Sequence, residues 1–147
     1  ATYAEGRRTW QAGDRLTLYT PMRVRRVSCH PYVTNNAGRV ALMRGPLVYC
    51  VEQEDYPNVP VQDLVLAEEQ ALTDRWNPDL LDGVCTMHGR ALAVSPGDGW
   101  SSQLYREADR EAPRDSVRSV SLLAVPYYAW ANRAPGAMRV WLREEPI

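Results

Sequence analysis

Two short strand patterns flank a Gly-Pro pair in Arg39-Val-Ala-Leu-Met-Arg-Gly-Pro-Leu-Val-Tyr-Cys-Val-Glu52. Apolar residues dominate both halves, which predicts strands over 39–43 and 47–52. Proline cannot donate to a strand ladder, so Gly45-Pro46 predicts a bulge, a bend or an edge position. Arg44 and Glu52 interrupt the apolar run, and a buried charge is costly unless it is paired. We therefore expect either a specified polar network here or a surface that docks on something else.

A second stretch of the same kind reads Val125-Pro-Tyr-Tyr-Ala-Trp-Ala-Asn-Arg133, and a Pro-Gly turn then leads to Met138-Arg-Val-Trp-Leu142. It again places polar residues, Asn132 and Arg133, inside an aromatic run. The pattern predicts a hairpin between 117–130 and 138–143. The turn at Asn132–Gly136 would close this hairpin.

The rest of the chain alternates short strand patterns with turn residues and contains no amphipathic helix of convincing length. We expect strands over 3–10, 15–20, 24–32, 63–67 and 84–94, turns at 11–14, 35–38 and 76–83, and a polar, solvated insert near 95–116. Short strands with turns at this spacing predict an all-β fold, a β-sandwich or jelly roll of antiparallel sheets.

Composition excludes several classes of function. The chain has 147 residues, 45% of them hydrophobic, and a formal net charge of −1, which gives no reason to expect binding to nucleic acid or acidic membranes. No apolar run approaches the roughly 18 residues of a membrane span. Nothing at Ala1 resembles a signal peptide, and the chain begins as if within an element, which suggests a fragment of a longer protein. Cys29, Cys50 and Cys85 have no metal or disulfide spacing, so we expect small buried side chains.

Residues suited to catalysis are few. His30 and His88 lie in different predicted strands without partners at ligand spacing, so we expect structural histidines and no metal site. Glycosidases use two carboxylates about 5–10 Å apart, and Glu52, Glu54 and Asp55 form the best such cluster. Because a strand runs into a loop there, we expect these carboxylates to be solvated. The sequence therefore predicts no catalytic residue in this chain.

Aromatic residues offer a route to sugar binding instead. Tyr127, Tyr128 and Trp130 lie in the second stretch, and ring faces can stack on the apolar faces of sugars. Strand alternation would point Tyr128 and Trp130 to one face and Tyr127 to the other. One face would then pack in the core, and the other could bind carbohydrate or another domain.

Both stretches resemble the C-terminal part of bacterial β-L-arabinofuranosidases, which form glycoside hydrolase family 127. The residues that carry the resemblance are Arg44-Gly-Pro-Leu-Val-Tyr-Cys-Val-Glu52 with Asp55, Pro126-Tyr-Tyr-Ala-Trp-Ala-Asn-Arg133 and Met138-Arg-Val-Trp-Leu142. Residues 8–14 and 21–24 resemble the last strands of the middle β domain of the same enzymes.

The resemblance implies a modular enzyme in which an N-terminal (α/α)6 barrel carries catalysis and two β-sandwich domains follow. It implies that residues 1–26 are the last strands of the middle domain, or else the first hairpin of the same sandwich. Residues 27–147 would form the C-terminal β-sandwich. In the family, a zinc site of cysteines and a glutamate lies in the barrel, and one cysteine is the nucleophile. This set has no counterpart here, so zinc is expected only in the barrel and no cofactor in this chain.

Three functions remain open at this point. The first is a non-catalytic C-terminal module that packs on the (α/α)6 barrel, stabilises the enzyme or forms a homodimer. In it, Arg44, Glu52, Asn132 and Arg133 would form hydrogen-bonded pairs that fix the sandwich corners or its docking on the barrel. The second is a carbohydrate-binding module that stacks sugars on Tyr127, Tyr128 or Trp130. The third is a self-sufficient hydrolase that uses Glu52 and Asp55.

Overall fold

The protein is all-β in a computed structural model, which confirms the predicted fold class. The structure describes residues 3, 5–97, 100, 104–105 and 116–145. Nine strands lie in these residues: β1 (Val24–Ser28), β2 (Arg39–Arg44), β3 (Leu47–Glu52), β4 (Leu64–Ala67), β5 (Thr73–Asn77), β6 (Val84–Ser95), β7 (Ser116–Pro126), β8 (Met138–Arg139) and β9 (Trp141–Glu145). No helix among the described residues is long and apolar enough to span a membrane.

Six of these strands form a closed ring. The hydrogen-bonded order is β2-β9-β4-β6-β7-β3, and β3 pairs with β2 again, so the sheet wraps into a barrel-like form. The other three strands extend it, because β1 pairs with β2, β5 with β6 and β8 with β3. The pairings are antiparallel except that between β4 and β9, which is parallel. Closure leaves fewer strand edges than an open sheet would have.

The barrel core is built from the inward-facing residues of the ring. Alternation places one set of side chains inside each strand, and the largest ones that are fully buried include Tyr49, Leu42, Leu64, Leu66, Met87 and Leu122. Two of the few buried polar side chains are Glu52 and Thr86. The core therefore carries one buried carboxylate, at the end of β3, which has to be neutralised.

The β2–β3 hairpin shows what the Gly-Pro pair does. Gly45 has a positive φ of 55°, and Met43 pairs with Val48 on either side of the turn. A positive φ at the first of two turn residues is what a type II′ hairpin requires. Gly45 is also held by the start of β1 and the residue before it. Its N–H donates to the Arg23 carbonyl at 3.0 Å, and its carbonyl accepts from Arg25 Nη2 at 2.8 Å.

The predicted strands at 39–43, 47–52, 63–67 and 84–94 are confirmed, and so are the turns at 11–14 and 35–38. The strand predicted over 24–32 is present but ends at Ser28. Three predictions of secondary structure are wrong, and the first two are the strands expected over 3–10 and 15–20. Residues 5–10 and 15–20 are exposed and outside any strand, because they have no ladder partner among the described residues. In addition, the sequence does not predict the polar strand β5.

The third wrong prediction is the terminal hairpin. β7 pairs with β6 and β3, β8 pairs with β3, and β9 lies between β2 and β4. Strands that follow one another in the sequence are therefore separated in the barrel, because ring closure takes β9 to another partner. Most of the predicted insert at 95–116 lies outside the described residues.

Candidate functional site

The buried end of β3 holds a cluster of two carboxylates and one guanidinium. Arg133 donates to both oxygens of Asp55, with Nη1–Oδ1 and Nη2–Oδ2 distances of 2.7 Å. It also donates to Oε2 of Glu52 through Nη2 and, at 3.1 Å, through Nε. The exposed fractions of the Arg133, Glu52 and Asp55 side chains are 15%, 6% and 11%. Such forked, charge-assisted bonds are stronger than neutral ones and fix geometry as well as charge.

Local backbone geometry brings these three groups together. β3 ends at Glu52, and the 3-10 turn Gln53–Asp55 carries Asp55 back beside it. On the other side, Ala131 has a positive φ of 62° and donates its N–H to Glu52 Oε1 at 3.1 Å. The expectation that this carboxylate cluster is solvated is therefore wrong for Glu52 and Asp55. Glu54 is exposed, because it lies in the 3-10 turn and not on a continued strand.

The electrostatics of the cluster favour a permanent ionic arrangement. The hydrogen bonds that Arg133 donates to Asp55 and to Glu52 raise the pKa of Arg133 and outweigh the opposing effect of burial. Burial and the neighbouring Glu52 raise the pKa of the adjacent Cys50 thiol to about 12, so this thiol stays protonated and unreactive at neutral pH. Chemically, the cluster holds charge in place and offers neither a free acid nor a nucleophile.

The other two predicted network residues lie apart from this ionic core. Asn132 donates its side-chain amide to the carbonyls of Ala129, at 3.1 Å, and Trp130, at 3.3 Å, so it shapes the turn that precedes Arg133. Arg44 is not part of the cluster. Its Nε donates to Asp74 Oδ2 at 2.6 Å, which joins β2 to β5. This bond raises the pKa of Arg44 and lowers that of Asp74.

The aromatic residues form an exposed patch on the turn between β7 and β8. Tyr127–Ala129 is a 3-10 turn, so the predicted strand alternation of these rings is wrong. Tyr127 and Trp130 stack on each other with centroids 5.8 Å apart and an interplanar angle of 24°. The exposed fractions of Tyr127, Tyr128 and Trp130 are 45%, 65% and 39%. None of the three packs in the core.

A cleft of about 330 Å³ lies beside this patch. Its lining includes Tyr128, Ala129 and Asn132 on one side and residues 81–84 on the other. Leu81 and Asp82 have positive φ angles of 51° and 59°, which are uncommon for non-glycine residues and least expected at a bulky one such as Leu81. The cleft is the place where a ligand of the aromatic patch could bind.

The histidines and cysteines do not form a site. His30 contacts Tyr32 edge-on, and His88 Nε2 lies 2.8 Å from the Thr86 hydroxyl. The three cysteines are free. No group of three His, Cys, Asp or Glu side chains suited to a metal ion occurs in the described part of the chain. A zinc site of cysteines and a glutamate therefore does not fit the residues that the structure describes.

Sequence reasoning missed two kinds of residue. It did not find Asp74 as the partner of Arg44, because 30 positions separate them and no local pattern joins them. It also missed a groove that contains Arg39, Arg139 and Arg143. A signal for the groove was present, since Arg139, Trp141 and Arg143 alternate at the period of one strand face.

Comparison with known proteins shows the family. The sequence model of the glycoside hydrolase family 127 C-terminal domain matches residues 24–143. The chain belongs to this family. It is 41% identical over 138 residues to a non-reducing end β-L-arabinofuranosidase of Bifidobacterium longum. It is also similar to the crystal structure of a family 127 β-L-arabinofuranosidase from Geobacillus stearothermophilus T6, with a TM-score of 0.72 and 41% identity over 86% of this chain.

A second solved structure, a family 127 β-arabinofuranosidase, has a TM-score of 0.70 and 32% identity over 84% of this chain. In each case the family 127 chain described here covers a small part of its relative. It spans 20% of the Bifidobacterium enzyme and 19% and 17% of the two crystallised chains. The chain therefore spans about a fifth of the length of these relatives, and it matches the C-terminal domain of the family.

Proposed function

We propose that this chain is a non-catalytic C-terminal module of a β-L-arabinofuranosidase-like glycoside hydrolase. Its role would be to pack on and stabilise the remainder of that longer protein, called the parent enzyme below. The observation that carries the proposal is the Glu52–Asp55–Arg133 cluster. The two carboxylates best placed for glycoside hydrolysis are buried and bonded to one guanidinium, which leaves neither available to a sugar.

The mechanism of glycoside hydrolysis explains why this arrangement is unsuited to catalysis. One carboxyl group has to protonate the leaving oxygen, and the second has to reach the anomeric carbon or a water beside it. Both oxygens of Asp55 accept from Arg133, and both oxygens of Glu52 accept from Arg133 or the Ala131 N–H. A substrate would have to break these bonds and enter the core. Catalysis is instead assigned to an N-terminal (α/α)6 barrel of the parent enzyme, and any zinc to that barrel.

Turnover by the chain alone tests this proposal. The 147-residue protein is incubated with an aryl β-L-arabinofuranoside, and release of the aryl alcohol is followed. We expect no release above that of a Glu52→Gln variant. Release that the Glu52→Gln substitution abolishes would overturn the proposal and establish the chain as a hydrolase in its own right.

The exposure of Tyr127, Tyr128 and Trp130 favours a second candidate, a carbohydrate-binding module. Titration with L-arabinose oligosaccharides, followed by tryptophan fluorescence, separates it from the first. A saturable change that is lost in Trp130→Ala but kept in Trp10→Ala would favour sugar binding, since Trp10 is an exposed tryptophan outside the patch. No change in either protein would favour the packing role.

A further inference from the structure

A groove on the outer face of the barrel is lined by three arginines and a tryptophan. Arg39 on β2 and Arg143 on β9 are register partners, so their side chains lie on the same face. The next pair, Val40 and Leu142, is buried and faces the core, which places the arginine pair on the outside. Trp141 follows on that outer face. The groove arginines are defined as Arg39, Arg139 and Arg143.

Two adjoining depressions make up this groove. One has a volume of about 290 Å³ and is lined by the three groove arginines together with Trp141, Gln62 and Asp63. The other has a volume of about 520 Å³ and shares Arg39, Arg139 and Trp141 with the first. Asp63 is the acidic residue in the lining, and its Oδ2 accepts a hydrogen bond from the Ser95 hydroxyl at 3.2 Å. The lining therefore presents three positive groups and one negative group.

The groove arginines have no partner in the described part of the chain. No side-chain hydrogen bond or ion pair joins any of the three to another described residue, whereas Arg26, Arg44 and Arg133 each bond a carboxylate. Arg143 Nε is moreover buried without any hydrogen-bond partner. A buried donor in this state loses the hydrogen bonds it would make to water, and native proteins rarely leave one unsatisfied. The groove therefore presents hydrogen-bond donors for which the described part of the chain supplies no acceptors.

We propose that the groove is the docking surface for acidic side chains of the parent enzyme. The guanidinium fork matches a carboxylate in shape and charge, and Arg and Trp are the residues that most often dominate protein interfaces. We take the occupant to be covalently linked protein, because the chain spans only about a fifth of its relatives, whose remaining length would supply it. The proposal rests on the proposed function, that this chain is a module of a longer enzyme.

The absence of lysine from this chain provides a specific test, since all 17 of its basic residues are arginine. Arg139→Lys introduces one primary amine into the groove, on its most exposed arginine. In the full parent enzyme, a carbodiimide converts carboxylates to reactive esters. A lysine in direct contact then displaces the urea and forms an amide. Arg75→Lys is the control, because Arg75 is an exposed arginine on β5 that does not line the groove.

Mass spectrometry of the digested parent enzyme gives the result. We expect an amide that links residue 139 to an Asp or Glu outside residues 1–147, at least tenfold more abundant than any such link from residue 75. Failure to form this link in the folded enzyme would overturn the proposal, and so would a link to Asp63 alone. Either failure leaves the non-catalytic role untouched, which only turnover by the chain itself would contradict.

A second measurement covers the case in which Arg139→Lys perturbs the groove. Arg139→Glu in the parent enzyme reverses one charge of the docking surface, and Arg75→Glu makes the same change outside it. We expect Arg139→Glu to increase the rate of proteolytic separation of the C-terminal module several-fold and Arg75→Glu to leave it unchanged. Equal rates for the two variants would contradict a docking role for the groove.

Discussion

Arg133 determines whether Glu52 can stay buried in this barrel and whether Asp55 can stay largely shielded beside it. Glu52 lies at 5% relative exposure among apolar core residues, and Arg133 bonds it together with Asp55. The net gain from such a buried network is small, because three charges lose their hydration. The loss on removing Arg133 is large, because no other described residue forms an ion pair with Glu52 or Asp55. The cluster therefore enforces one arrangement of the 3-10 turn and of the backbone near Ala131.

This asymmetry predicts the effect of Arg133→Ala. The substitution leaves Glu52 and Asp55 buried without a cation, so we expect a loss of about 3–5 kcal/mol in the free energy of unfolding. Urea denaturation of the 147-residue protein measures it. Arg75→Ala is the control, and a change within about 0.5 kcal/mol is expected there because Arg75 is exposed. Similar losses in both variants would show that the cluster does not stabilise the fold.

His88 provides a prediction about pH. Burial, and then the nearby Arg75, lowers the pKa of His88 below its ordinary value of 6.5. As the pH falls through 6.5, the unfolded chain binds a proton before the folded one does, so the unfolded state is favoured. The contribution of His88 to stability is complete above pH 6.5 and is lost progressively as the pH falls through its lower, folded-state pKa.

The measurement is the free energy of unfolding between pH 7.5 and 5.5, for the wild type and for His88→Gln. We expect the wild type to lose more stability over this interval than the variant, because the variant has no proton to bind at this position. Identical slopes in the two proteins would mean that His88 binds protons equally in the folded and unfolded states.

At the scale of elements, some strands can be predicted from their local sequence pattern, and others form only because a distant strand pairs with them. β2, β3 and β6 could be predicted because apolar residues alone mark them. β5 could not, because Thr73–Asn77 is mostly exposed and is a strand only through its pairing with β6. The terminal hairpin was predicted from its turn residues, yet ring closure gives β9 different partners. At the cluster, Glu52 and Arg133 stood out as charges in apolar runs, while the role of Asp55 required the 3-10 turn.

The β2–β3 turn leads to a prediction about the stability of a glycine variant. Gly45 has a φ of 55°, and an added Cβ would contact the Met22 sulfur. Because an L side chain in this region costs roughly 1–2 kcal/mol, we expect Gly45→Ala to reduce the free energy of unfolding by about this amount. Gly38 also has a positive φ, but a Cβ added there would meet no atom. Gly6 has neither a positive φ nor a neighbouring atom that a Cβ would meet. Urea denaturation should therefore rank Gly45→Ala as the most destabilising and Gly6→Ala as neutral.

At the scale of the whole molecule, β9 closes the ring by lying between β2 and β4. Arg26 reinforces this closure from β1. Its Nη1 donates to Glu144 Oε1 at 2.6 Å and to the Ala67 carbonyl at 2.8 Å, which ties β1 to β9 and to the end of β4. The strand at the end of the described chain, β9, is therefore essential to the closed sheet. By contrast, residues 5–20 are exposed along their whole length.

Two deletions follow from this contrast. Removal of residues 1–20 takes away no strand that the structure describes, so we expect the Tm to change by less than about 2 °C. Removal of residues 141–147 takes away β9, exposes the edges of β2 and β4 and uncovers the core around Leu142. We expect this variant to lose cooperative thermal unfolding and to aggregate, as scanning calorimetry and size-exclusion chromatography would detect. A large loss of stability on removing residues 1–20 would instead make them part of this domain. It would then favour the alternative that residues 1–26 belong to the same sandwich and not to a preceding β domain.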